Sequence, residues 1–271
     1  MSKQTSMTSS EYPVVDAHAF YCRALESLQA AQSQFLVGGA FAFQHYTGIE
    51  RDTKDFDIFV RPRDREKVMN VLSGAGYHVE LSFHWLGKAF AGDHFIDVIF
   101  RSGNGSCEVD DSWFDHAVNG EMWGFPAKLC PAEEMIWSKA YIMERERFDG
   151  ADVAHLLRAR VHDLDWTRLI ARFGPHWRVL LTHLILYGFI YPGERSRIPE
   201  EVMRHLLGRL NRELSSNHST VEAPLCQGSL LSREQYLVDL EQWGYRDARL
   251  LPEGCLTTHE IEHWTAAINH P

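Results

Sequence analysis

The chain has 271 residues, of which 45% are hydrophobic, and its formal net charge is −10. The hydrophobic content is sufficient for a buried core, and the chain is longer than one typical domain. The acidic balance lacks the broad basic field that drives nonspecific nucleic-acid binding, so a large RNA partner is disfavoured. A local basic patch leaves RNA open, and it comprises Arg145, Arg147, Arg158 and Arg160.

Targeting and redox signals point to a cytoplasmic protein. The five cysteines are scattered and contain no C-x-x-C pair, which excludes a disulfide framework. The polar N-terminal stretch 1–13 lacks the apolar core of a secretory signal. The longest apolar run, 179–191, is too short to cross a bilayer, so no membrane partner is expected.

Hydrophobic periodicity and turn residues give the order of elements. We expect a flexible tail over residues 1–12 and then a small mixed sheet with helices. The predicted helices lie at 16–31, 41–46 and 63–74, and the predicted strands at 35–37, 56–60, 77–83, 86–90 and 95–100. The fold class is therefore α/β, of the α+β kind, with a mainly helical C-terminal part.

The stretch 35–60 carries the strongest functional pattern. A short apolar strand ends in Gly38-Gly39, and a following strand carries Asp55 and Asp57. A glycine pair at a strand-to-helix turn lets the backbone approach a phosphate, and a helix N-terminus offers free N–H groups. Acids at i and i+2 of a strand point to the same face and can grip one cation. The pattern predicts a site for a metal-bound nucleoside triphosphate.

A third acid, Asp97, lies between Ile96 and Val98 in another predicted strand. A carboxylate among apolar neighbours is costly to bury unless a cation or a donor compensates it. Three acids on neighbouring strands would make the oxygen-rich site that Mg²⁺ takes up with substrate phosphates.

These residues resemble the DNA polymerase β-type nucleotidyltransferase superfamily, nearest its small bacterial nucleotidyltransferases and nucleotidyltransferase-type toxins, over roughly residues 14–160. The resemblance implies that Gly38 and Gly39 hold the triphosphate. It also implies that Asp55, Asp57 and Asp97 bind two Mg²⁺ (or Mn²⁺) ions, with Asp97 helping to activate the attacking hydroxyl. Arg51 and Lys54, just before the paired acids, are candidate phosphate contacts or plain surface cations.

A second cluster follows in residues 131–160. Apolar positions at helical spacing predict a helix over 131–145, and a turn at Asp149-Gly150 precedes a helix over 151–160. By resemblance to the toxin-like branch, Lys139 contacts phosphate and Asp152 completes the site. The alternative is a solvated lysine and a helix-capping aspartate.

We divide the chain into a nucleotidyltransferase core at 13–160 and a mainly helical region at 161–271. The second part carries no readable motif and is expected to set acceptor specificity or to mediate homodimer formation. The loop 102–106 is expected to be an ordinary surface turn rather than a lid. Aromatic residues at 113–125 are expected to pack in the core rather than to stack a base.

The predicted function is Mg²⁺-dependent transfer of a nucleoside monophosphate from a triphosphate to a hydroxyl acceptor, with pyrophosphate release. The acceptor is left open between a small molecule, a protein side chain and a tRNA end. One alternative is a noncatalytic nucleotide-binding module on the same fold. Another is a metal-dependent phosphohydrolase, suggested by His155, His162-Asp163, His176 and His183.

Overall fold

The computed structural model of the chain describes residues 17–51, 53, 55–215 and 224–269. The predicted tail at 1–12 and Lys54 lie outside the described residues.

The first half of the chain alternates short strands with helices. In chain order its elements are α1 (Ala17–Ala30), β1 (Leu36–Val37), α2 (Gly39–Thr47), β2 (Asp55–Phe59), α3 (Arg65–Gly74), β3 (His78–Phe83), β4 (Leu86–Ala91), β5 (His94–Ile99), α4 (Asp111–Asp115), β6 (Val118–Met122) and β7 (Phe125–Leu129). The predicted elements up to β5 are confirmed within a few residues.

The second half is mainly helical. In chain order its elements are α5 (Ala132–Ala140), α6 (Gly150–Arg160), α7 (Trp166–Phe173), α8 (Trp177–Ile190), α9 (Glu200–Ser215), β8 (Leu225–Cys226), α10 (Leu237–Glu241), β9 (Arg246–Asp247) and α11 (Thr258–Ala266). The domain boundary that we placed after residue 160 stays a prediction.

Seven strands form one mixed sheet in the order β3-β4-β5-β2-β1-β7-β6. β2 runs parallel to β5 and antiparallel to β1, and β1 runs parallel to β7. The predicted α/β fold with a small mixed sheet is confirmed. The sheet brings strands that are distant in the sequence side by side at its centre.

The two faces of the central strands differ in chemistry because side chains alternate along a strand. One face buries Phe56 and Ile58 of β2 with Ile96 and Val98 of β5. Tyr21 of α1 packs on this face, with its ring 5.2 Å from that of Phe56. The opposite face carries the acids, so core formation and acid placement follow from one alternating pattern.

Two local features differ from the sequence prediction. The helix expected over 131–145 ends at Ala140, because the chain turns back through a bridge between Met143 and Phe148. The β6–β7 hairpin was not predicted. Its turn uses Trp123 and Gly124, with φ of 50° and 84°, and a tryptophan at a positive φ gives no turn signal in the sequence.

The aromatic residues at 113–125 pack in the core, as predicted. Trp113 is buried and stacks on Phe59, with 5.3 Å between the ring centroids. Trp123 stacks on Tyr21 at 5.2 Å.

Candidate active site

The glycine turn lies directly against one of the predicted acids. Gly38 caps α2, and its N–H donates to the Asp57 carbonyl oxygen at 3.0 Å. Gly39 has a φ of +54°, and a Cβ placed there would lie 1.8 Å from Oδ2 of Asp57. Glycine is therefore needed at position 39 both for its backbone conformation and for lack of space.

The three acids share one face of two neighbouring strands. Asp57 of β2 pairs with Asp97 of the parallel strand β5, and Asp55 lies two residues before Asp57. We call Asp55, Asp57 and Asp97 the acid row. Among the described residues, none donates a hydrogen bond to the Asp57 carboxylate.

Asp57 is the most perturbed acid of the row. Burial is the largest cause that raises its pKa, and the neighbouring carboxylates of Asp97 and Asp55 raise it as well, so that the pKa is about 7. Lys139 and Arg147 act in the opposite direction. Such a carboxylate is poised to take up a cation.

Asp97 has a cationic partner of its own. Lys88 of β4 pairs with Asp97 in the strand register, and its Nζ lies 2.8 Å from Asp97 Oδ1. Burial nevertheless holds the pKa of Asp97 above its usual value. Sequence reasoning missed Lys88, although the alternation of β4 places it on the same face as the acids.

A network of three cations and two acids lies near the acid row. Lys139 Nζ is 2.8 Å from both Asp149 and Asp152. Arg51 makes a bidentate pair with Asp152 at 2.5 and 3.0 Å, and Arg147 pairs with Asp149 at 2.9 and 3.0 Å. We call these five residues the cation network. The structure thus brings together the predicted Arg51, Lys139 and Asp152 with Asp149 and Arg147, which the sequence had left as unranked candidates for the same region.

A cavity of about 620 Å³ joins these groups. At one end it is lined by Gly39, Asp57 and the cation network. We call this the phosphate end. Asp57 is the member of the acid row that reaches the cavity wall.

Another part of the cavity lining comes from outside the glycine turn, the acid row and the cation network, and it includes residues of the C-terminal region that we expected to set acceptor specificity or to mediate homodimer formation. This part includes the loop 101–104, residues 229–233 and Trp264. We call it the far end. The prediction that the loop 102–106 is an ordinary surface turn is wrong, since Asn104 is buried and donates to the Leu230 carbonyl oxygen at 2.6 Å.

The donor set of the acid row suits a hard divalent cation. Aspartate oxygens are the ligands that Mg²⁺ and Mn²⁺ prefer, and the Asp57 carboxylate lacks hydrogen-bond donors within the described ranges. No group of three His, Cys, Asp or Glu residues in the described part of the chain is arranged to hold a metal ion. The roles of Asp55, Asp57 and Asp97 as metal ligands stay a prediction.

Two of the four histidines of the phosphohydrolase alternative serve the packing of the helices. His183 is buried and donates to the Ala140 carbonyl oxygen at 2.9 Å, and His176 hydrogen-bonds to the Tyr141 hydroxyl at 2.9 Å. Nothing in this geometry supports a hydrolase centre there.

Comparison with known proteins gives one family match and several structural similarities. Residues 21–140 match the family model of aminoglycoside-2''-adenylyltransferase. No curated protein matches the chain significantly. Among the helices that the structure describes, none is long and apolar enough to cross a membrane.

Similar solved structures include two antibiotic-modifying proteins. The solution structure of the antibiotic-resistance factor ANT(2'')-Ia is 17% identical, with a TM-score of 0.36, over 73% of this chain and 92% of that chain. The lincosamide antibiotic adenylyltransferase LnuA, solved with lincomycin, is also 17% identical, with a TM-score of 0.36, over 53% of this chain and 96% of that one.

JHP933 from Helicobacter pylori is 10% identical, with a TM-score of 0.36, over 75% of this chain and 97% of that one. All three structural similarities are remote. The match spans the glycine turn, the acid row and Lys139. The comparison therefore shows that residues 21–140 are similar to the aminoglycoside-2''-adenylyltransferase family.

Proposed function

We propose that this protein transfers the nucleoside monophosphate of ATP to a hydroxyl group of a small molecule, in a reaction that depends on Mg²⁺ or Mn²⁺. The observation that carries the proposal is the position of Asp57. It lies in a row of acids, directly against the glycine turn, and faces the cation network across one cavity.

The phosphate end suits a triphosphate. Gly39 leaves no side chain at the start of α2, where free N–H groups and the positive end of the helix dipole favour an anion. Arg51, Lys139 and Arg147 supply three positive charges, balanced here by only two acids. Triphosphate oxygens are stronger ligands for these cations than water is, because charge-assisted hydrogen bonds to phosphate are short and strong.

Within the acid row, Asp55 and Asp57 would hold the divalent cation, and Asp97 would lie beside it. When bound, such a cation neutralises triphosphate charge and lowers the pKa of a hydroxyl that it contacts. The attacking hydroxyl oxygen forms a bond to the α-phosphorus, and the bond from that phosphorus to the bridging oxygen breaks. Pyrophosphate leaves with the electron pair, and the hydroxyl proton passes to a carboxylate oxygen, for which Oδ2 of Asp97 is the candidate because Oδ1 faces Lys88.

The size of the cavity favours a small acceptor. A volume of about 620 Å³ lies within the range of small-molecule sites. Residues 229–233 and Trp264 line the same cavity as the phosphate end. The family match names an aminoglycoside as the acceptor of its members and ATP as the implied donor, which favours the same choice. An ATP-dependent enzyme of this kind belongs in the cytoplasm.

The test is label transfer from α-³²P-labelled ATP, GTP, CTP and UTP with Mg²⁺ or Mn²⁺. Acceptors are tobramycin, lincomycin, the small-molecule fraction of a cell lysate, and pooled tRNA. We expect labelled small molecules and pyrophosphate with ATP, and neither product with the double variant Asp55→Ala/Asp57→Ala. Asp163→Ala removes an exposed aspartate and serves as the matched control.

Two results would contradict the proposal. Label on tRNA alone would replace the small acceptor by RNA. Metal-dependent nucleotide binding with no transfer to any acceptor would support the noncatalytic module.

A further inference from the structure

We infer that the Lys88 ammonium is a permanent cation of the acid row, so that the site binds one divalent cation beside it and not two. This inference rests on the proposed function, since it concerns how that site is charged. It differs from the two-metal site that the family resemblance implies.

The first observation is the position of Lys88 in the sheet. The register aligns Lys88 of β4 with Asp97 of β5, and Asp97 with Asp57 of β2. Paired residues on adjacent strands point to the same face. One ammonium and two carboxylates therefore form a lateral row across three strands.

The second observation is that two contacts hold Lys88 in this place. Its Nζ lies 2.8 Å from Asp97 Oδ1 and 4.1 Å from the centroid of the Phe95 ring. The side chains of Lys88 and Asp97 are only 24% and 16% exposed. A strand lysine ordinarily extends its ammonium into water. Lys88 instead turns inward, and the ring of Phe95 stabilises the ammonium independently of the acid.

The third observation is the contrast between the two inner acids. Asp97 has an ammonium on one oxygen, whereas no described residue donates a hydrogen bond to Asp57. A divalent cation that used Asp97 would be repelled by Lys88 in a partly buried site, where charges are weakly screened. Among the described residues, none forms an ion pair with Asp55 or Asp57, whereas Lys88 forms one with Asp97. Lys88 thus acts as a positioning residue that supplies one of the positive charges.

The experiment counts bound Mn²⁺ by electron paramagnetic resonance in the presence of α,β-methylene-ATP. We expect one Mn²⁺ per chain in the wild type and in Lys88→Arg, which keeps the charge. Lys88→Met keeps the length but not the charge, and we expect it to bind a second Mn²⁺ at least tenfold more tightly than the wild type does. The second ion should also give the spectral broadening of two coupled Mn²⁺ ions.

Lys67→Met removes an exposed lysine of α3 and is the matched control. Thermal melting of each variant checks that the variant is folded. Two Mn²⁺ per chain in the wild type would overturn the inference, and so would a single Mn²⁺ in Lys88→Met. Failure of the proposed function is measured separately, because it appears as absence of label transfer from the nucleoside triphosphate, whatever the number of Mn²⁺ ions bound.

Discussion

Two charged clusters of this molecule surround their acids in opposite ways. In the first cluster, Glu133 and Glu134 of α5 are buried, and they pair with Arg168 and Arg172 of α7. Arg172 also makes a bidentate pair with Asp110 at 2.6 and 2.9 Å. We call this the α5–α7 cluster. Each of its acids faces a guanidinium, and it joins three segments that are distant in the sequence.

The acid row has no such balance. Among the described residues, Lys88 is the one cation that forms an ion pair with its carboxylates. The pKa of Asp57 is raised, whereas that of Asp110 is lowered by Arg172. Like charges placed together cost stability unless a ligand compensates them. The difference teaches that acids paired with arginines, as in the α5–α7 cluster, stabilise the fold. Acids without such partners, as in the acid row, indicate a site that binds a ligand.

The largest expected effect is on activity. Asp57→Asn should reduce nucleotidyl transfer by about a thousandfold or more, because it removes the charge that holds the cation. The same change should leave the melting temperature unchanged or raise it, because it removes a buried carboxylate charge that has no hydrogen-bond donor among the described residues. Steady-state kinetics and thermal melting measure both quantities. A large loss of stability would show that Asp57 belongs with the fold-stabilising charges.

The converse change is in the α5–α7 cluster. Glu134→Ala should lower the free energy of unfolding by about 3–5 kcal/mol, because it leaves two arginines without their buried partner. Activity per folded molecule should stay near that of the wild type. Urea unfolding gives the free energy. Glu200→Ala, at an exposed pair with Arg204, is the control and should cost below about 1 kcal/mol.

Asp57 also predicts a dependence of stability on pH. Its folded pKa, about 7, lies above the ordinary value of 3.8, so the folded state binds the proton more tightly than the unfolded state. The resulting stability is fully present below pH 3.8 and is lost as the pH rises through 7. The metal-free protein should lose roughly 3 kcal/mol from this group between pH 5 and pH 8.

Urea unfolding at several pH values measures this loss, and Asp57→Asn should flatten it. Mn²⁺ affinity should rise over the same pH range, because the ion displaces the proton. An unchanged slope in Asp57→Asn would assign the pH dependence to other groups.

The smallest effect separates backbone strain from crowding at the glycine turn. Gly39→Ala places a Cβ against Asp57 at a φ of +54°, whereas Gly48→Ala has a φ of +70° and meets nothing within 4 Å. Gly48→Ala should cost about 1 kcal/mol and leave activity intact. Gly39→Ala should cost more and reduce activity at least tenfold. Equal effects of the two changes would show that crowding at Asp57 does not matter.

Sequence patterns predicted the parts of the site that depend on local spacing. Gly38 and Gly39, Asp55 and Asp57 are fixed by one strand-turn-helix segment and by the alternation of β2. Lys139 was placed correctly on its helix although that helix ends early, since its position depends only on the turns before it. The turn at Asp149 then brings the start of α6 back to Lys139, which completes the contacts of Lys139 with Asp149 and Asp152.

Contacts between distant segments could not be read in the same way. Lys88 meets Asp97 through the register of two strands, and a sequence pattern does not specify which strands pair. Trp264 and residues 229–233 reach the cavity only because the C-terminal segment packs back on the loop 101–104. The α5–α7 cluster was missed for the same reason, as its partners lie on separate helices.

The parallel pairing of β2 and β5 has a consequence for how such a protein can change over time. Backbone hydrogen bonds hold neighbouring strands about 4.8 Å apart, so the spacing of Asp57 and Asp97 does not depend on any contact between their side chains. The far end is built from other segments, in the loop 101–104 and at 229–233. Mutations there can accumulate without disturbing the reacting groups. We therefore expect relatives of this chain to diverge first in the acceptor that they accept and last in the chemistry that they perform.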